Sequence, residues 1–104
     1  INSDMSSIYL TSNQQIPIKG ASVDYNSYTT PPENPNIFTG EQVLINSGRL
    51  YFNAKKDSIL LSANTSINLN TQDTVNIDSK NSFTVDTRES RISSSNYVNI
   101  SFFL

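Results

Sequence analysis

An eight-residue repeat runs through the middle of the chain and limits the folds that it can adopt. Cut every eight residues from Ser58, the sequence reads SILLSANT, SINLNTQD, TVNIDSKN and SFTVDTRE. The second and fourth residues of each unit are apolar and the third is mostly polar, which is the alternation of a strand with one buried face. The last three residues of each unit are typical of turns. Each unit is therefore predicted to be a short strand followed by a tight turn. The apolar residues at the second and fourth positions are Ile59, Leu61, Ile67, Leu69, Val75, Ile77, Phe83 and Val85.

Apolar pairs with the same spacing of two residues continue upstream of the repeat. They are Ile8/Leu10, Ile16/Ile18, Val43/Ile45 and Leu50/Phe52, with Val23/Tyr25 as a weaker copy. Three of the four prolines lie between Val23/Tyr25 and Val43/Ile45 and predict a loop, because Pro lacks a backbone donor and breaks a helix. The sequence thus divides into N-terminal strand repeats (1–25), a Pro-rich loop (26–41), an octad β-helix (42–87) and an irregular C-terminal segment (88–104). Almost no helix is expected.

The composition indicates that the chain is either partly disordered or builds its core jointly with other chains. The chain has 104 residues, of which 14 Asn, 17 Ser and 9 Thr make up 40, and only 36% are apolar. Globular domains average about 45–50% apolar residues. There is no Cys for a disulfide or thiolate site and no His for general base catalysis or metal binding. A net charge of −2 gives no basic surface for nucleic acid.

The length of the unit favours a core shared by three chains. Eight residues supply one wall and one corner, so they are too short to circle a core and return. Three chains that contribute one unit each would enclose a narrow apolar core and leave no open sheet edge. We therefore expect an all-β, intertwined homotrimeric β-prism in which the eight apolar residues form the trimer core. A flat meander or a two-sheet sandwich remains the alternative.

The pattern changes at the C-terminal end. Counted in eights, Arg91 and Ser93 would occupy the two inward positions, and burying an unpaired Arg is costly. A shift instead aligns Val98 with Ile100 as a pair and leaves 88–96 as an irregular polar stretch. The chain then ends in SFFL, and a terminal apolar run of this kind is expected to plug the prism, to dock into a partner or to mark a truncation.

The polar and aromatic residues give no strong sign of an active site. Two carboxylates that flank a cleft would suggest a glycosidase, but Asp at strand ends is ordinary turn chemistry. A calcium site lacks the EF-hand and Gly-rich patterns. We therefore predict no catalytic residue, no cofactor and no metal site. Gly48 is expected to adopt a positive φ in the turn before Leu50. The residues weighed for these roles are Asp57, Asp73, Asp78, Asp86 and Glu89 as acids, and Tyr25, Tyr28 and Tyr51 as sugar-stacking rings.

The octads, together with the preceding VLINSGRLYFNAKKD, resemble the β-helical region of contractile-tailed phage baseplate spikes. The stretch NSDMSSIYLTSNQQIPI resembles the segment that enters this region in spike or hub proteins of T-even-like phages. The resemblance implies a non-enzymatic structural protein of the virion, a trimeric needle at the centre of the tail baseplate. Its partners would be other baseplate or hub proteins and, transiently, the host outer membrane or cell-surface glycans. A type VI secretion spike and a glycan-binding fibre shaft or adhesin are the alternatives.

Overall fold

Two short strands are the regular secondary structure in the part of the chain that the structure describes. The computed structural model describes residues 6–22, 25 and 28–102. Within these residues, strand β1 covers Ser7–Thr11 and strand β2 covers Gln42–Asn46, and no helix is present. An all-β chain without helix agrees with the predicted class at this level. The weaker copy at Val23/Tyr25 falls partly outside the described residues, as do Phe103 and Leu104 of the terminal apolar run.

The two strands pair antiparallel and collect four aliphatic side chains on one face. Ile8 lies opposite Ile45, and Leu10 lies opposite Val43. Because side chains two residues apart point to the same side of a strand, these four share one face. They are 45–75% exposed, so nothing within the described chain covers this face. The repeat pattern had placed all four at inward positions, but it gave no indication that the two strands pair with each other.

The Pro-rich segment is hydrogen-bonded to the chain at Ile16, which is 3% exposed and is the one buried apolar residue among the described residues. The Ile16 N–H donates to the Pro35 carbonyl at 2.8 Å. The side-chain amide of Gln42 also donates to the Pro35 carbonyl, at 3.4 Å, and that of Gln15 donates to the Ile37 carbonyl at 3.2 Å. Residues 14–18 consequently form no strand, because their backbone and side chains bind the Pro-rich segment instead.

The repeat region (47–102) is a succession of extended segments separated by bends. In the octads the bends fall at 64–65, 72–73 and 80–81, which are the seventh and eighth residues of successive units. The predicted turns are confirmed at these places. Gly48 also lies at a bend, but no described residue has a positive φ, so that expectation was wrong. The bend at Gly48 is made with ordinary dihedral angles.

The chain is far more extended than a globule of its length. Its radius of gyration is 17.2 Å, and its principal dimensions are 55 × 35 × 27 Å. A compact chain of this length would have a radius of gyration of about 13 Å. The accessible surface is 10608 Å², whereas a folded monomer of this mass exposes about 5,800 Å². The excess surface belongs mainly to the repeat region, where nearly every residue is exposed.

Candidate assembly surface

The eight predicted core residues lie on the surface of the single chain. Their exposed fractions run from 54% at Ile67 to 67% at Leu61 and Phe83. Contiguous apolar surface of more than a few hundred Å² is rare on soluble monomers and marks an interaction site. The structure thus places these residues where another molecule can cover them, at regular intervals along the repeat region.

The backbone of the repeat region also lacks the backbone–backbone hydrogen bonds that the N-terminal part of the chain has. Leaving Asn70 aside, the backbone–backbone hydrogen bonds between described residues all lie within residues 7–46. Extended segments carry a donor and an acceptor at almost every residue, and burial of these groups requires partners. Apart from Asn70, the described repeat region therefore combines uncovered apolar side chains with backbone groups that have no backbone partner.

Side-chain hydroxyl groups hold the corners between the extended segments. The Thr71 hydroxyl oxygen accepts from the Asp73 N–H at 3.2 Å. Eight residues later, the Ser79 hydroxyl donates to the Ser82 carbonyl at 2.8 Å. A further eight residues on, Thr87 uses its hydroxyl at the next corner. These local bonds satisfy backbone groups where the chain turns, as Ser and Thr commonly do.

The sequence predicted turns in the last three positions of each unit, with Asn, Asp and Ser there bonding their own backbone, but it did not single out a hydroxyl residue at the sixth position. The signal that could have found the corner hydroxyls is a hydroxyl residue at the sixth position of three successive units, Thr71, Ser79 and Thr87. A fourth corner uses Ser94, whose hydroxyl accepts from the Asn96 N–H at 3.4 Å. Its place is seven residues after Thr87, so the spacing is shorter there by one residue.

The carboxylates are exposed and widely spread along the surface. The Asp57 carboxylate accepts from the Ser58 hydroxyl at 3.2 Å, and the Asp73 carboxylate accepts from the Thr74 hydroxyl at 3.0 Å. Within the described part of the chain, no three acidic groups come together in a way that could hold a metal ion. Local hydroxyl contacts of this kind are ordinary corner chemistry.

Tyr25 and Tyr28 are brought together, with ring centroids 5.1 Å apart and planes inclined by 9°. Tyr25 also lines a depression of about 400 Å³, together with Lys19 and Glu33. Tyr51 belongs to the repeat region and is 76% exposed. Of the three tyrosines considered for sugar stacking, only the first two therefore form a cluster.

The Tyr51 ring has a different neighbour, since the Arg49 guanidinium carbon lies 5.8 Å from its centroid. A cation at this distance from a ring is weakly attracted to its face. This contact is local and does not extend the tyrosine pair.

No protein-family model, curated protein or solved structure matches the chain. Among the described residues, no helix has the length and apolar character needed to cross a membrane.

Proposed function

We propose that the chain is a structural subunit that assembles into an intertwined homotrimeric β-prism, with the eight apolar octad residues facing the common axis. The observation that carries this proposal is the coincidence of exposed apolar side chains with unpaired backbone along the same extended segments. Two further chains would cover the apolar face and pair the strand edges in one step. A single covering layer of another kind, such as a lipid surface, would leave the backbone groups unpaired.

The function that suits such a trimer is that of a central spike in a contractile tail baseplate, used to pierce the host cell envelope. A prism of this kind needs no active site, because its function is to stay rigid and to transmit force along its axis. Other baseplate or hub proteins would hold its ends, and the host outer membrane would be a transient contact. A type VI secretion spike would use the same mechanics in another machine. Two things support this proposal, namely the resemblance of the octads to the β-helical region of baseplate spikes and the exposed apolar surface of the repeat region.

The oligomeric state tests the first step of the proposal. Native mass spectrometry and sedimentation should give a particle of three times 11.6 kDa, and unheated samples should remain trimeric in SDS gels. A chain that stays monomeric at micromolar concentration would exclude the prism. Immunogold labelling of intact particles that carry the chain would then test its position, and we expect the label on the tail axis.

A matched pair of substitutions tests the direction of the faces. Val75→Asp should prevent trimer formation, because it would place three carboxylates at the apolar axis, where burial of unpaired charge is costly. Asn76→Asp introduces the same group one residue later, on the other face of the segment, and should leave the trimer intact. If both variants assemble equally well, the proposed inward face is wrong.

The tyrosine pair favours a second candidate, a glycan-binding shaft. Tyr25 and Tyr28 stack beside a depression that also has charged groups, and sugar sites commonly combine such features. Glycan-array binding that is lost in Tyr25→Ala would support a fibre or adhesin. A trimer that binds no glycan would favour the spike.

A further inference from the structure

The spacing between apolar pairs along the chain follows the length of the bend that separates them. A bend of one residue at Gly48 accompanies a spacing of seven from Val43 to Leu50, and a bend of three residues at 55–57 accompanies a spacing of nine from Leu50 to Ile59. The two-residue bends at 12–13, 64–65, 72–73 and 80–81 each accompany a spacing of eight. In all six cases the spacing is six residues plus the length of the bend.

This relation has a simple physical basis. The straight part of each unit keeps a constant number of residues, so the corner absorbs every insertion and deletion. A strand shifted by one residue turns all of its side chains to the opposite face. Counting the residues in the bends, rather than counting in fixed eights, therefore gives the face on which each later side chain lies.

The relation can be applied to the C-terminal segment, where counting in eights places Arg91 and Ser93 inward. The chain bends at Arg88 alone and next at 95–96. The pair after Phe83 and Val85 should then begin seven residues later, at Ser90 and Ile92. The pair after that should begin eight residues further on, and it falls on Val98 and Ile100, which are both apolar.

The corner hydrogen bonds locate the missing residue independently. The hydroxyl groups of Ser79 and Ser94 each donate to the carbonyl three residues later, on Ser82 and Tyr97, at 2.8 and 2.9 Å. The Thr87 hydroxyl donates to the carbonyl only two residues later, on Glu89, at 3.1 Å. The corner at Thr87 is thus one residue shorter than the other two. In each case the residue after the acceptor carbonyl is the first of the inward pair, namely Phe83, Ser90 or Val98.

We infer that the assembly surface continues without interruption to Ile100 and that further copies of this chain cover it over that whole length. This inference rests on the proposed trimer and extends it by two layers. The shortened corner moves Ile92 to the inward face and Arg91 to the outer face, beside the outward residues Asn76 and Thr84 of earlier units. The inward positions from Val43 to Ile100 then carry no charge.

The properties of the surface point to another copy of the chain as its occupant. The apolar inward residues between Val43 and Ile100 are each about half to three-quarters exposed, and none is covered by the described chain. A partner chain with the same corner lengths would match this spacing layer by layer, and its unpaired strand edges would meet those of the first chain.

Single-cysteine variants of the full chain test the inference, because the protein has no Cys of its own. In assembled Ile92→Cys the thiol should react with a maleimide about tenfold or more slowly than in Arg91→Cys, because a thiol in the core reacts only when the structure opens. Labelling is followed by intact mass. Cys is small and apolar enough to be tolerated at an inward position.

Val75→Cys and Asn76→Cys provide the matched control pair. In the trimer, Val75→Cys should label slowly and Asn76→Cys rapidly. If this control pair behaves so, but the variant at 92 labels as fast as or faster than the variant at 91, the assembly surface does not continue to Ile100, while the trimer itself stands. Equal rapid labelling at all four positions, or a monomeric wild-type chain, would overturn the trimer and the inference with it.

Discussion

The N-terminal block (6–46) and the repeat region (47–102) differ in how their backbone is hydrogen-bonded and in how far their apolar side chains are buried. The block has a paired sheet, backbone hydrogen bonds between distant residues and a buried side chain at Ile16. In the repeat region, apart from Asn70 and the contacts of Ser47 and Gln72 with the block, hydrogen bonds join residues at most three apart.

The difference shows which interactions a single chain can supply. Corners are local, so the chain forms them alone, and within the block it also buries Ile16 and bonds the Pro-rich segment to it. The extended segments between corners have no such cover, and the chain contains too few apolar residues to provide it. Under the proposed trimer, the repeat region gains its core and its backbone partners only from other copies.

The largest difference between the two regions is expected in their amide exchange rates when the trimer is diluted until it dissociates. In the trimer, amide hydrogens of the repeat region should exchange roughly a hundredfold or more slowly than in dissociated chains, because inter-chain pairing protects them. Amides of β1 and β2 should change much less, since their partners lie in the same chain. Hydrogen exchange followed by mass spectrometry at several concentrations measures this. Equal changes in both regions would contradict the expectation that only the repeat region takes its backbone partners from other copies.

A truncation at the shared core should have the next largest effect. Leu69→Ala removes a side chain that three copies would bury in one layer, and we expect a loss of about 2–5 kcal/mol per chain in trimer stability. Leu60→Ala is the control, because Leu60 is 86% exposed and lies at the outward third position, so its effect should stay within about 0.5 kcal/mol. Thermal dissociation of the trimer provides the measurement, and similar losses in both variants would argue against the inward face.

Within the N-terminal block, Ile16→Ala should weaken the attachment of the Pro-rich segment by about 2 kcal/mol, through loss of its buried side chain. Limited proteolysis should cut the segment faster, while the mass of the assembly stays unchanged. Ile37→Ala, at a side chain that is 52% exposed, provides the comparison and should be cut at the wild-type rate. A change of oligomeric state in Ile16→Ala would mean that the two regions are coupled.

The smallest effect is expected at a corner. Ser79→Ala removes the hydroxyl that donates to the Ser82 carbonyl and should cost about 0.5–1.5 kcal/mol. Ser82→Ala keeps that carbonyl and should be close to neutral. Chemical denaturation of the assembled protein measures both variants. A neutral Ser79→Ala would show that the bend forms without its side-chain bond.

The repeat could be found in the sequence because its signal is local. Alternation of Ile67 and Leu69 with polar neighbours predicts one apolar face, and small polar residues at the unit ends predict the bends at 64–65 and 72–73. The absence of helix follows from the same pattern. These features depend on dihedral preferences and on period two, which neighbouring residues determine.

Features that depend on distant contacts could not be predicted. Nothing in the sequence of β1 shows that it pairs with β2 across some thirty residues, or that Pro35 accepts a hydrogen bond from Ile16. The face of Arg91 was hidden for another reason. A fixed count of eight does not register that the corner at Thr87 is one residue shorter, because this depends on the path of the backbone.

The variable corners have a consequence for how such a chain can evolve. A codon gained or lost within a bend changes the length of one corner and leaves the straight segments in phase. The same change within a straight segment would turn every later side chain to the wrong face until a second change restored the phase. Related chains should therefore differ in length mainly at the corners, and an alignment with gaps allowed only there would recover the inward positions.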